Sequence, residues 1–176
     1  MCWYALFVET GKEHLTEKLL KKFFDSKTLT CFVPKRLVPE KKDGIVHDHV
    51  KVMFPGYIFI HTNIISKLYY SIRQIPKIYY IVKCGKYKRN SSDGYYSIIS
   101  QNEMSLIIKL TAKNGILDYS DINIKNKQVE VISGPLMGME SIIKKVDRRK
   151  RRAKVEIEFL DKKRMIDVGV NILSVF

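Results

Sequence analysis

Two segments of this chain are apolar on both faces when they are read as β-strands. In Cys2–Val8, apolar side chains occupy both alternating sets of positions, and residues 57–60 repeat the pattern. Successive side chains of a strand point to opposite faces of a sheet, so a strand of this kind has to be covered on both sides. The two segments therefore predict central strands of a folded domain, which excludes a disordered basic chain.

Helical patterns surround these strands. Thr10 and Glu13 have the spacing of a capping box, and the apolar residues behind them recur at helical intervals, which predicts a first helix over residues 11–25. Ser100 and Glu103 repeat the capping box and predict another helix. The other elements expected in this part of the chain are strands at residues 31–38, 45–53 and 78–84, a hairpin loop at 39–44 and a short helix at 64–72.

The composition changes near residue 119. All ten tyrosines and the single tryptophan lie at or before Tyr119, whereas the later residues form short alternating runs rich in Val, Ile, Lys and Arg. Five runs predict strands, at residues 128–132, 140–146, 153–160, 164–168 and 171–176. Short strands with tight turns suit a small barrel, which leaves few edges. We therefore expect a first domain over residues 1–112, a linker over 113–122 and a second domain over 123–176.

The charge balance favours a polyanionic partner. The chain carries 32 basic and 18 acidic residues, a formal net charge of +14. Residues 1–112 contribute +9 and residues 123–176 contribute +6, so both predicted domains are basic. The sequence lacks the roughly 20 consecutive apolar residues of a membrane span, and its first residues lack the order of a signal peptide. We expect a cytoplasmic protein without membrane contact.

Two basic regions are candidate nucleic-acid contacts. A tight turn at 148–152 would splay five successive cations outward, where they could contact phosphates, although a solvated hairpin tip is the alternative. The second region interleaves cations with tyrosines, a combination that suits unpaired bases; the alternative is that these tyrosines belong to the core. The candidate residues are Arg148, Arg149, Lys150, Arg151, Arg152, Arg73, Lys77, Lys86, Lys88 and Arg89.

The sequence offers little for catalysis or metal binding. The glycines at 134–138 lack the Lys-Ser/Thr of a phosphate loop, and the nucleophile and metalloprotease motifs do not occur. The His-Asp-His at 47–49 is interpreted as a polar strand segment. The three cysteines are widely spaced and are interpreted as reduced, buried thiols. We therefore expect a binding protein without cofactor or metal, rather than an enzyme.

Four motifs occur in an order that resembles the NusG family of transcription elongation factors. They are Trp-Tyr-Ala-Leu at 3–6, Gly-Lys-Glu at 11–13, Phe-Pro-Gly-Tyr-Ile-Phe at 54–59, and Val-Glu-Val-Ile-Ser-Gly-Pro-Leu-Met-Gly at 129–138. The resemblance covers nearly the whole chain. It implies an α+β fold with an N-terminal NGN domain, an antiparallel sheet flanked by helices. The C-terminal part would be a KOW domain, an SH3-like five-stranded β-barrel.

The resemblance also implies partners for each domain. The NGN domain is expected to bind the clamp helices of RNA polymerase through an apolar patch, and the matching positions are Phe7, Tyr57 and Phe59. The KOW domain is expected to bind the termination factor Rho or a small-subunit ribosomal protein through its first turn. The matching residues there are Leu136, Met137 and Met139, and Met139 stands where many members have an aromatic residue.

Within the family, the strong basic charge and the opening sequence most resemble the LoaP-type paralogs. These are processive antiterminators of long biosynthetic operons that recognise an RNA hairpin in the nascent leader. RfaH-like paralogs, whose C-terminal domain can switch to a helical hairpin, match less well because the Gly-Pro turn and the alternating strands are intact. The resemblance implies three partners: RNA polymerase, a nascent RNA hairpin and non-template DNA. It also implies a monomeric bacterial protein that is associated with the nucleoid. The alternatives are a general elongation and pausing factor that recruits Rho or the ribosome, and a ribosomal-type KOW RNA-binding protein.

Overall fold

The computed structural model of the chain describes residues 1–64, 66–83, 96–126 and 128–175. Helices and strands alternate in the first part of the described chain, and strands dominate the second. The elements are β1 (Cys2–Val8), α1 (Glu13–Phe23), β2 (Leu29–Phe32), β3 (Lys35–Lys42), β4 (Ile45–Val52), β5 (Tyr57–Thr62), α2 (Ser66–Arg73), β6 (Ile78–Ile81), α3 (Gln101–Leu110), β7 (Ile116–Leu117), β8 (Ser120–Lys125), β9 (Gln128–Ser133), a 3-10 helix (Glu140–Ile142), β10 (Ile143–Asp147), β11 (Arg152–Phe159) and β12 (Lys162–Val175). This confirms the predicted α+β fold class.

The chain divides into two compact units. The first unit comprises Met1–Val33 and Phe54–Met104, and the second comprises Pro34–Met53 and Ser105–Phe176. The hairpin of β3 and β4 therefore belongs with the C-terminal strands. This division differs from the boundaries predicted at residues 112 and 123, because β3 contacts β12 of the second unit. The domain boundaries at residues 112 and 123 remain a prediction from the sequence.

The first unit is built on a four-stranded sheet in the order β2-β5-β1-β6. The central pair is antiparallel, from Cys2 opposite Thr62 to Phe7 opposite Tyr57. Leu6 is fully buried on β1, as are three successive residues of β5, Ile58 to Ile60. The prediction that these two segments are covered central strands is therefore confirmed.

The two predicted capping boxes have different outcomes. At α3 the box is present: the Ser100 N–H donates to Glu103 Oε2 at 3.0 Å, and the Glu103 N–H donates back to Ser100 Oγ at 3.2 Å. At α1 the prediction is wrong, because the N-cap is Lys12 and makes no side-chain capping bond. Glu13 is instead buried and accepts a hydrogen bond from the Gly56 N–H at 2.7 Å. The buried Gly56 N–H needs an acceptor. Because the Glu13 carboxylate serves as that acceptor, it does not cap the helix.

The hairpin of β3 and β4 is longer than the sequence indicated. The predicted loop at 39–44 shrinks to the two residues Asp43 and Gly44, because β3 continues to Lys42. Both turn residues have positive φ, 51° and 84°. Asp-Gly adopts this geometry readily, and it matches the twist of the two strands.

The second unit contains a five-stranded sheet in the order β10-β11-β12-β8-β9. Its five strands are not the five predicted ones. β8 begins at Ser120, inside the expected linker, and the two strands predicted at 164–168 and 171–176 are the single strand β12. β12 pairs antiparallel with β11 up to Gly169 and parallel with β8 from Val170. At this change of partner a Cβ on Gly169 would lie 2.6 Å from Cε1 of Tyr119, so the close approach of the ring requires glycine.

Candidate functional site

Three tyrosine rings surround Phe7 in the first unit. In register, Phe7 lies opposite Tyr57 of β5 on one side and Tyr80 of β6 on the other. The centroid of its ring is 5.3 Å from that of Tyr57, 5.1 Å from that of Tyr80 and 5.9 Å from that of Tyr79. Tyr79 and Tyr80 remain 52% and 49% exposed. We name Phe7, Tyr57, Tyr79 and Tyr80 the aromatic patch.

The turn before β5 fixes the position of the Phe7 ring. Gly56 has φ of 83°, and a Cβ there would lie 3.1 Å from Cε2 of Phe7. The carbonyl oxygen of Gly56 accepts the Val8 N–H at 2.8 Å, while its own N–H donates to buried Glu13. The turn is therefore tied to β1 and to the first helix, and it leaves room for an aromatic ring where a larger residue would intrude.

Phe59 is not part of the exposed surface. It pairs with Ala5 and shares the sheet face of Tyr57, as the sequence indicated, but it is fully buried. Its ring packs against Phe54 at 5.7 Å and Phe32 at 6.3 Å between centroids. The expectation of an exposed Phe59 is therefore wrong, because strand parity gives the face of a residue and not its depth under neighbouring rings.

Tyr79 and Tyr80 were missed as members of this patch. In the sequence they belong to the region of interleaved cations and tyrosines, and nothing there connects them to Phe7. The pairing of β6 with β1 makes that connection, since Tyr80 lies directly opposite Phe7. An antiparallel pairing of the two segments, assumed from the apolar pattern, could have found it.

A second group of rings and cations forms at the end of α2. Arg73 donates a hydrogen bond to the Tyr69 hydroxyl at 3.3 Å, and its guanidinium carbon lies 6.0 Å from the Tyr69 ring centroid. The Tyr69 ring contacts Tyr70 at 5.4 Å and Tyr96 at 5.3 Å, and Lys83 Nζ lies 5.9 Å from the Tyr96 centroid. We name these five residues the Tyr69 cluster. The structure thus brings the predicted Arg73 together with tyrosines.

Ionisation of the tyrosines differs within the Tyr69 cluster. The hydrogen bond from Arg73 lowers the pKa of Tyr69 below its usual value, because the guanidinium favours the phenolate. Burial raises the pKa of Tyr96 to about 12. Tyr96 is therefore uncharged at neutral pH, and within the cluster it is Tyr69 whose phenolate is favoured by Arg73.

Lys77 is placed differently from Arg73. Its ammonium forms a salt bridge with Glu9 at 2.7 Å, and this carboxylate raises the pKa of Lys77. A nucleic acid that used Lys77 would have to compete with Glu9. The remaining predicted contacts of this region, Lys86, Lys88 and Arg89, lie outside the described residues, as does Cys84.

The basic run at 148–152 connects β10 to β11, as the sequence predicted. Four of its cations are exposed: Arg148, Arg149, Lys150 and Arg151. The turn is closed by the Lys150 N–H, which donates to Asp147 Oδ1 at 3.0 Å, and by Arg151, which has φ of 51°. We name residues 148–151 the basic turn.

Arg152 does not join the basic turn. Its Nε donates to the carbonyl oxygen of Pro39 at 2.9 Å, and its guanidinium lies 3.5 Å from Glu40. Arg36 makes a similar contact from the other side, donating to the backbone oxygen of Asp167. These two arginines join the β3–β4 hairpin to the barrel strands within the second unit. The expectation that all five cations of the run project outward is therefore wrong for Arg152, whereas its role as a phosphate contact stays a prediction.

The predicted partner turn of the second unit is mostly interior. Leu136 is fully buried and Met139 is 8% exposed, whereas Met137 is 60% exposed. The Leu136 N–H donates to Ser120 Oγ at 3.0 Å, and a Cβ on Gly134 would lie 2.7 Å from the Ser120 backbone. The Gly-Pro turn thus packs tightly against the start of β8. Of the three predicted partner residues, the structure leaves Met137 on the surface.

The histidines and cysteines play smaller parts. His47 and His49 are exposed on β4, in agreement with a polar strand segment, and Asp48 between them accepts a hydrogen bond from the Tyr119 hydroxyl. Cys2 and Cys31 are free thiols that are partly buried. Burial raises the pKa of Cys31 to about 11, so its thiol is protonated and unreactive at neutral pH.

Within the described residues, no helix is long and apolar enough to cross a membrane.

Comparisons with known proteins agree with the motifs. Residues 1–108 match the family model NusG, described as "Transcription termination factor nusG". Proteins named "Transcription termination/antitermination protein NusG" from Staphylococcus aureus strains Mu50 and N315 are each 22% identical over 173 residues, covering 94% of this chain and 91% of theirs. A solved structure described as "Domain interaction in Thermotoga maritima NusG" has a TM-score of 0.54 at 16% identity, covering 96% of this chain and 93% of that one. This last likeness supports the fold.

Proposed function

The chain belongs to the NusG family of transcription termination and antitermination factors, and on this premise we propose that it is an operon-specific antiterminator of the LoaP type. It binds RNA polymerase through the aromatic patch and the nascent leader RNA through the basic turn. The observation that carries this proposal is the ring cluster around Phe7, which stays half exposed at Tyr79 and Tyr80.

The aromatic patch has the properties of a protein-binding surface. Exposed apolar groups that adjoin one another are characteristic of partner sites, and tyrosine is common among the residues that dominate binding energy. The Phe7 ring packs against the rings of Tyr79 and Tyr80. These two side chains therefore lose little conformational entropy when a partner covers them. An apolar surface of helices, such as the polymerase clamp, is a suitable partner.

The basic turn has the properties of a phosphate-binding surface. Two other cations of the second unit are held in ion pairs: Lys154 with Asp167 at 2.8 Å and Lys163 with Glu156 at 3.2 Å. Within the described part of the chain, the four cations from Arg148 to Arg151 have no ion-pair partner. Their charge is therefore available to displace counterions from an RNA backbone.

The Gly-Pro turn of the second unit favours an RNA-binding antiterminator over a general factor that recruits Rho or the ribosome. Such recruitment would use the apolar side chains at Leu136, Met137 and Met139, and two of these are interior. A single exposed methionine offers a small contact. The exposed charge of the basic turn favours RNA as the partner of this unit.

An in-vitro transcription assay across an intrinsic terminator tests the proposal. We expect readthrough with the full chain only when the template encodes the cognate leader, and loss of readthrough in the double variant Tyr79→Ala, Tyr80→Ala. Phe23→Ala is the matched control, because Phe23 is 64% exposed and lies outside both the aromatic patch and the Tyr69 cluster. Readthrough that is independent of the leader would favour a general elongation factor, and full activity of the double variant would exclude the patch as the polymerase contact.

A further inference from the structure

A cavity of about 560 Å³ opens in the second unit between β9 and β10. In the described residues, these are the two end strands of the five-stranded sheet, so each has one hydrogen-bonded neighbour strand. The lining comes from both strands, from Ile124 of β8 and from the 3-10 helix. The cavity therefore lies along the seam where the ends of the sheet face one another.

The cavity has apolar walls. Ile124, Val129, Ile143 and Val146 contribute aliphatic side chains, and Ile124 is 4% exposed. Pockets of a few hundred Å³ with apolar walls and a few polar groups are typical of sites for small planar ligands. Aliphatic walls of this kind can hold the face of an unpaired nucleobase, as the apolar pockets of base-flipping proteins do.

Six of the ten residues that line the cavity are polar or charged, and three of these six are not cations. Gln128, Glu140 and Ser141 line the cavity, and Glu140 Oε1 accepts the Val131 N–H at 3.4 Å. An amide, a carboxylate and a hydroxyl can together read the edge of a base. Because an ionised carboxylate only accepts hydrogen bonds, Glu140 favours a base with an exocyclic amine over uracil.

Cations stand at one end of the cavity. Lys145 and Arg148 line it and are exposed, and Arg148 is also the first residue of the basic turn. Lys144 is already engaged, since its Nζ lies 3.1 Å from the Ser141 carbonyl oxygen and 3.7 Å from Glu156. The cavity thus opens directly onto the surface assigned to phosphates.

We propose that this cavity receives one unpaired nucleotide of the RNA that the basic turn holds. The base lies between the aliphatic walls with its edge toward Glu140, and its phosphate contacts Lys145 and Arg148. This inference rests on the proposed function, and it adds that the RNA must present an unpaired base, so that recognition is not by backbone charge alone.

The charges and the strand geometry favour a nucleotide over an acidic peptide. A peptide carboxylate in the cavity would meet the like charge of Glu140, whereas a base offers that oxygen a donor. Addition of a peptide strand to β10 is also disfavoured, because the register of β10 shifts between Ile143 and Lys145. Such a bulge interrupts the regular hydrogen-bonding edge that an added strand needs.

The test compares three RNA hairpins with the full chain by fluorescence anisotropy. One carries a single bulged adenosine, one is fully paired, and one has an abasic site at the bulge. We expect the bulged hairpin to bind about tenfold more tightly than the other two, a difference within the range that one stacked base contributes. Equal affinity for all three, with a normal salt dependence, would overturn the inference and leave the proposed function intact. Failure of all three to bind would overturn both.

Protein variants locate the effect in the cavity. Val129→Phe should fill it and remove the preference for the bulged hairpin without weakening the fully paired one. Lys145→Ala tests the same site from the surface and should reduce the preference severalfold, while Lys162→Ala, which changes an exposed lysine at the start of β12, should not. A preference that survives both changes contradicts the inference. Displacement of the bulged RNA by a glutamate-rich decapeptide would identify a protein ligand instead and also overturn it.

Discussion

The aromatic patch and the basic turn differ in how firmly their binding side chains are held in place before a partner binds. The patch is preorganised: Phe7 contacts three other rings, and Gly56 and Glu13 hold the adjoining turn. The backbone of the basic turn is held by hydrogen bonds, from the Lys150 N–H to Asp147 Oδ1 and from the Arg151 N–H to the Arg148 carbonyl oxygen, but its cations project into solvent without contacting other side chains of the turn. Changes in the patch should therefore alter both stability and binding, whereas changes in the turn should alter binding alone and should depend on salt.

Removal of the Phe7 ring is the most severe test of this difference. We expect Phe7→Ala to lower the free energy of unfolding by about 3 kcal/mol, because it removes a ring that packs against three others. Phe23→Ala is the control, since Phe23 is 64% exposed on α1 and should change stability by less than about 0.5 kcal/mol. Urea denaturation of the full chain measures both. Equal effects would mean that the patch is a loose surface cluster and not a preorganised one.

Variants of Glu13 test the positioning of the aromatic patch without changing any of its rings. In Glu13→Ala the buried Gly56 N–H loses its acceptor, which should cost about 1–2 kcal/mol of stability and weaken polymerase binding, although no ring has changed. Glu13→Gln keeps a side-chain oxygen at this position and should retain most of both. Thermal unfolding and polymerase pull-down are the measurements. If the Gln variant is as defective as the Ala variant, the negative charge and not the hydrogen bond is what matters.

The basic turn should give the contrary result. The triple variant Arg148→Ala, Arg149→Ala, Arg151→Ala should leave the unfolding midpoint unchanged and lower RNA affinity roughly tenfold or more at low salt. The slope of log affinity against log salt should fall by about 2, since each phosphate contact contributes about 0.7 to 0.9. A matched triple change at the exposed start of β12, Lys162→Ala, Lys163→Ala, Arg164→Ala, should have a much smaller effect. Similar losses in both triples would point to net charge rather than to this turn.

The same contrast explains how far the sequence could predict the structure. Local signals worked where one element decides the outcome, as in the capping box at Ser100 and the turn at 148–151. They failed where distant parts of the chain compete for a group. Glu13 has a capping position in sequence but bonds to Gly56, and Arg152 belongs to a basic run but bonds to Pro39.

Tertiary pairing accounts for the remaining differences. β8 was hidden in the expected linker because its pattern begins with buried Ser120, whose hydroxyl is used by the Leu136 N–H of the Gly-Pro turn. The two strands predicted at 164–168 and 171–176 form one long strand, and Gly169 within it allows the close approach of the Tyr119 ring. Likewise, parity placed Phe59 on the correct face, but only packing shows that Phe54 and Phe32 cover it.

The Tyr69 cluster combines the two kinds of surface, and it gives the smallest expected effect. Arg73 lowers the pKa of Tyr69 by stabilising the phenolate, so Arg73→Ala should raise the pKa of Tyr69 toward its usual value. A group whose pKa is lowered by folding contributes stability above its unfolded pKa, and this contribution is lost as the pH falls through the folded pKa. The variant should therefore differ most from the wild type above pH 10, the usual pKa of tyrosine, and the difference should shrink as the pH falls. Ultraviolet titration of tyrosinate checks the pKa. A stability loss at neutral pH would show that Arg73 packs structurally on the ring, as in the aromatic patch, and does not act through charge, as in the basic turn.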